Sequence, residues 1–142
     1  MLFLWIFGNN VEDALGRLRF LLWYLAAGVV ATAAQTLVTL QFSTATDASI
    51  PNLGASGAVA GVLGAYLLLL PTAQVLTLVG FFVVLLPAYL FLGIWFLLQA
   101  WQAGFAFTHP QGGGGVALFA HIGGFLFGAA TVYLVARRPP LR

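Results

Sequence analysis

Val116–Ala136 reads VALFAHIGGFLFGAATVYLVA, 21 residues in which His121 alone can carry charge near neutral pH. As an α-helix this stretch is about 31 Å long, and a bilayer hydrocarbon core is about 30 Å thick. Gly112–Gly115 precedes it, and Arg137, Arg138, Pro139 and Pro140 follow it, so polar or helix-breaking residues bound it on both sides. A run of this length and composition reads as a membrane-spanning helix. The rest of the chain agrees: of 142 residues 62% are apolar and 6% charged, against roughly 25% charged in ordinary soluble domains. Five cationic and three acidic side chains could not keep the surface of a soluble domain of this size wet.

Working outward, three further stretches meet the same test. They are residues 20–40, residues 54–70, and residues 75–101 with Pro87 inside as a kink. Residues 1–7 are apolar but too short to span, and read as the end of an incomplete span running into a polar stretch, Gly8–Arg19. They lack the cationic start and small-residue cleavage site of a signal peptide. The expected fold is therefore all-α: one polytopic transmembrane bundle over residues 1–142, with four full spans plus the end of a fifth.

Charge supplies the orientation. Arg17 and Arg19 precede the first full span, and Arg137, Arg138 and Arg142 follow the fourth. An even number of crossings puts both clusters on one side, which the positive-inside rule assigns to the cytoplasm. A multi-pass protein in the plasma membrane of a prokaryote, with a cytoplasmic C-terminus, is the expectation. The opposite side carries the loops around Asp47 and His109.

Little chemistry is available in such a chain. There is no cysteine, hence no thiolate nucleophile or disulfide. Two histidines and three acids converge on no metal-ligand spacing, so neither a metal nor another cofactor is expected. The excess of two positive charges is too small to suggest nucleic acid. Two ionisable or nucleophilic features stand out. Ser56, in Gly54-Ala55-Ser56-Gly57, opens the second span, and His121, in Ala120-His121-Ile122-Gly123-Gly124, lies near the start of the fourth. Both spans begin on the same side, so the two residues share a depth. Glycines at positions 57, 61 and 64 on one helix, and 124 and 128 on the other, let two backbones approach closely in lipid. A close crossing would put Ser56 Oγ in reach of the imidazole, which could act as its general base. The backbone N–H of Ser56, at a helix N-terminus, would suit a developing oxyanion. Taken alone, Ser56 also reads as an N-cap. An ionisable residue inside a span reads as functional.

These two motifs, with the topology between them, resemble the signature of the rhomboid family of intramembrane serine proteases. The stretch Phe7-Gly8-Asn9-Asn10-Val11-Glu12-Asp13 resembles the turn between that family's second and third helices. The resemblance implies that Ser56 is a nucleophile and His121 its general base and then acid. Substrates would be transmembrane proteins cleaved near the outer membrane face. It places side-chain oxyanion donors upstream of Met1, because no histidine occurs before His109. In some relatives a tyrosine follows the serine by four residues; here that position is Ala60. The kinked third span and the loop Gln102–Gly115 read as moving parts. One rival keeps the fold but binds membrane clients without cutting them. Another is a small transporter or scaffold whose glycines serve packing alone.

Overall fold

The computed structural model describes residues 1–42, 55–108 and 118–137. Five helices and one hairpin follow in order: α1 (Leu2–Leu15), α2 (Arg17–Phe42), α3 (Ser56–Leu69), β1 (Gln74–Val79), β2 (Phe82–Pro87), α4 (Ala88–Thr108) and α5 (Leu118–Val135). Among the described residues three helices are long and apolar enough to cross a membrane: Arg17–Phe42, Ala88–Ala106 and Leu118–Val135. The chain is thus a multi-pass membrane protein, with three helices of spanning length where the sequence suggests four.

The fourth expected span is α3, whose 14 residues extend about 21 Å. It is also the most enclosed helix: Ala58, Ala60 and every residue from Gly61 to Tyr66 are buried. A helix that is apolar all round belongs in the middle of a bundle, and α3 touches each of the other four helices. Its crossing with α5 is the most extensive contact in the molecule.

Three expectations are corrected. The polar stretch after residue 7 is not a turn; α1 runs through it to Leu15. Phe7, Val11 and Leu15, four residues apart, put one buried stripe against the bundle while Asn9, Asn10 and Asp13 face outward. The chain turns instead at Gly16, whose φ of 85° only glycine adopts without strain. Residues 75–101 are not one kinked helix. Residues 74–87 form an antiparallel hairpin, with Val75 opposite Leu86 and Leu78 opposite Val83, and only from Ala88 is the chain helical. Valine-rich strands favour the pleated form. The two-residue turn places Gly80 first, at φ 61°, where a tight hairpin needs a positive φ. Pro87 therefore ends a strand rather than kinking a helix, and the gating idea loses its hinge. Gln102–Thr108, expected as loop, belong to α4. His109, Asp47 and Gly112–Gly115 lie outside the described residues.

The arginine ends meet as the charge pattern requires. Arg137 N–H donates to Ala14 O at 2.9 Å, and an Arg19 guanidinium nitrogen donates to Val135 O at 3.3 Å. Among the described residues few hydrogen bonds join the helices elsewhere. Trp23 Nε1 donates to Thr131 Oγ1 at 2.9 Å, and Tyr133 OH donates to Leu68 O at 2.6 Å. Such bonds contribute about 0.6 kcal/mol each within a membrane, so close packing carries most of the assembly. Phe7 set edge-on to Tyr66, with centroids 4.9 Å apart, is one such contact between α1 and α3.

Candidate active site

The site is built by the α3–α5 crossing. The two helices run parallel, since Gly57 meets Ala120, Gly61 meets Gly124 and Gly64 meets Phe125. Both therefore start at the same membrane face, opposite the arginines. The contact is backbone on backbone. A Cβ on Gly124 would strike the carbonyl oxygen of Gly57, and one on Gly128 that of Gly61. All five glycines of the expected ladder, at positions 57, 61, 64, 124 and 128, lie at this crossing.

The register matters for chemistry. A Cβ on Gly57 would lie 3.3 Å from Ala120 O and 3.5 Å from Ala120 Cβ. Gly57 follows Ser56 and Ala120 precedes His121, so the two candidate residues are immediate neighbours of a touching pair. Ser56 is exposed at the mouth of the crossing, and no hydrogen bond joins its Oγ to His121. Dyad hydrogen bonds are often loose before substrate binds.

Ser56 is not a helix cap. Ala55 occupies the N-cap position, without a side-chain capping bond, and Ser56 is the first helical residue. The first helical bond runs from Val59 N–H to Ala55 O at 3.0 Å. The N–H of Ser56 is therefore one of the first-turn donors that the helix itself does not use.

His121 is half-buried and packs against α4. Its ring lies 5.9 Å from that of Trp95, tilted by 42°, and Trp95 also packs on Phe125. His121 Nδ1 is buried and finds no hydrogen-bond partner among the described residues. Gln99 Oε1 on α4, one helical turn beyond Trp95, is the other such atom. Orphaned buried polar atoms are rare enough in folded proteins that each needs a reason. Among the described residues no three His, Asp or Glu side chains gather as a metal site.

A third helix completes the site, and the sequence reading missed it. Ala31 on α2 packs against Gly57 and Gly124, Ala27 against Gly61, and Ala34 against Gly123. One turn beyond Ala31, Gln35 Oε1 accepts from the N–H groups of Phe119 at 3.1 Å and Ala120 at 3.3 Å. Its amide nitrogen donates to Thr39 Oγ1 at 3.2 Å. Gln35 thus caps the histidine helix from a neighbouring helix. The signal that could have found this face was the alanine spacing 27, 31, 34, the same small-residue pattern as the glycines.

The family model described as the Rhomboid domain matches residues 1–138. The chain is 35% identical over 139 residues to the presenilin-associated rhomboid-like protein A, mitochondrial, of Danio rerio, covering 90% of this chain and 30% of that protein. It is 31% identical over 139 residues to rhomboid protein 1, mitochondrial, of Saccharomyces cerevisiae, covering 96% and 37% respectively. The chain spans about a third of the length of these curated relatives. No solved structure matches. With the domain covering nearly its whole length, the chain belongs to the rhomboid family.

Proposed function

We propose that this chain carries the catalytic pair of an intramembrane serine endopeptidase, with Ser56 as nucleophile and His121 as general base and acid. The observation that carries the reading is the parallel glycine crossing, which sets Gly57, next in sequence to Ser56, on Ala120, next in sequence to His121. Ser56 Oγ attacks the scissile carbonyl as its proton passes to an imidazole nitrogen of His121. The oxyanion that forms is stabilised by first-turn N–H groups of α3, that of Ser56 among them. Collapse breaks the C–N bond, and the imidazolium gives its proton to the leaving amine. Water, deprotonated by the same histidine, then hydrolyses the acyl-enzyme and frees Ser56. Substrates are transmembrane proteins whose helix opens near the membrane face where α3 and α5 begin. Both named relatives are mitochondrial, which lends no support to a prokaryotic plasma membrane; the proposal needs only a multi-pass protein in a bilayer.

The test is covalent labelling with a fluorophosphonate probe in detergent. Labelling that disappears in both Ser56→Ala and His121→Ala supports the pair. A folded chain that takes no label would refute it.

Gln35 acts in this scheme as a positioning residue. Gln35→Leu leaves the Phe119 and Ala120 N–H groups without their acceptor, a cost of about 1–3 kcal/mol. Part of that cost should appear as a displaced His121, lowering kcat by roughly ten-fold while KM changes little. Gln35→Glu keeps an acceptor oxygen and should recover much of the loss. A purely structural role predicts fewer folded molecules with unchanged kcat per labelled site.

A further inference from the structure

We propose that the hairpin of residues 74–87 is a membrane-surface anchor, lying on the leaflet at the arginine end of the bundle with its outer face and tip among the acyl-chain boundary. Four side chains of alternate positions form that outer face: Leu76, Leu78, Val83 and Leu85 are each 62–70% exposed. Leu76 stands opposite Leu85 and Leu78 opposite Val83, so the four make one continuous aliphatic patch. The tip adds Phe81, fully exposed, and Phe82, 76% exposed. No charged residue occurs between 74 and 87. A contiguous patch of this kind is not left in water.

The opposite face is accounted for. Val75 is buried with Leu69, Ala88 and Leu92, while Thr77, Val84 and Leu86 are half-covered. The base is tied down as well: Ala88 N–H donates to Ala73 O at 2.8 Å and Tyr89 N–H to Pro71 O at 2.9 Å. These bonds use first-turn donors of α4 and fix the hairpin to the start of that helix.

The height of the hairpin follows from α4. Its 21 residues extend about 31 Å, one hydrocarbon thickness, so Ala88 sits at a membrane boundary. That boundary is the arginine side, because the end of α3 meets the end of α5 through Tyr133 and Leu68, and Arg137 follows there. Exposed Arg17 and Arg19 stand at the same level, where headgroup phosphates lie. Next to them Leu18, Leu21, Leu22 and Leu25 of α2 are exposed, so the bilayer already covers apolar side chains at this end. Depth is limited by the backbone. Each strand of a two-stranded ribbon has an outer edge without a ladder partner, and such groups cannot enter hydrocarbon. The hairpin therefore lies along the interface, side chains down and edges in the hydrated headgroups, as an interfacial amphipathic helix does. This placement does not depend on Ser56 being a nucleophile.

The chain has no cysteine, so single nitroxide labels can be introduced by Leu78→Cys, Phe81→Cys and Leu85→Cys, with Asp13→Cys as the aqueous reference. Each variant is reconstituted in phosphatidylcholine–phosphatidylglycerol liposomes. Power saturation then compares collisions with oxygen, which partitions into acyl chains, and with a nickel chelate, which stays in water. The expected result is oxygen exceeding the chelate at 78, 81 and 85, with the ratio reversed at 13. Chelate exceeding oxygen at the hairpin sites overturns the proposal and places the hairpin in water. Protection from both reagents, with spin–spin broadening at full labelling, also overturns it and assigns the patch to a second copy of the chain. Three separate sites keep the result readable if one variant does not fold.

Discussion

Replacing Ser56 with alanine should lower turnover of a transmembrane substrate by on the order of 10⁶-fold, and His121→Ala should do almost the same. The two losses should not add, because nucleophile and base act in one step: the double variant should be no slower than either single one. The comparison is informative here because Ser56 contributes little to the fold. It is exposed, it is not the cap of α3, and no hydrogen bond from its hydroxyl holds another helix. Its removal should change stability by no more than about 0.5 kcal/mol. A large loss of turnover in a chain that unfolds normally is therefore a chemical effect. His121 is packed on Trp95, so His121→Ala is joined by His121→Gln, which keeps much of the bulk and removes the base. Initial rates on a reconstituted single-span substrate measure all four variants. Turnover that survives in Ser56→Ala would exclude the serine mechanism whatever the labelling showed.

How far the sequence could be read depended on what each stretch needs from its surroundings. Hydropathy locates α2, α3 and α5 because lipid demands the same apolar character along the whole helix. It fails at residues 74–87 for the same reason: a continuous apolar run looks alike as helix or strand. The evidence for a strand was local, the valines and Gly80, and was outweighed by length. In α1 the polar residues 8–13 suggested a turn, yet Phe7, Val11 and Leu15 recur at one-turn spacing and only the buried stripe decides. The glycine ladder was legible because glycine has one use on a membrane helix face, close approach, and two such faces at one depth have each other as natural partners. Gln35 was not legible at all. Its function lies in reaching the first turn of a helix more than 80 positions away, and nothing in its own neighbourhood along the chain indicates that.

The same crossing yields the second large effect, on stability. Gly128→Ala should destabilise the chain by about 1–3 kcal/mol, the usual cost of overpacking a filled site, and Gly128→Val should cost more. An added Cβ would lie on the Gly61 carbonyl, 2.6 Å from its carbon and 2.8 Å from Gly61 Cα. Those atoms are backbone in the middle of a buried helix and cannot swing aside, so relief requires the helices to part. Parting them also separates Ser56 from His121, so labelling of the remaining folded molecules should fall along with stability. Gly104 is the control. A Cβ there meets nothing within 4 Å, and alanine is better than glycine in a helix by about 1 kcal/mol, so Gly104→Ala should be neutral or stabilising. Unfolding by sodium dodecyl sulfate in mixed micelles, followed through the tryptophans, compares the two. Equal midpoints for Gly128→Ala and Gly104→Ala would mean that the α3–α5 contact is looser than its geometry indicates. The proposed catalytic pair would then need some other restraint to hold it together.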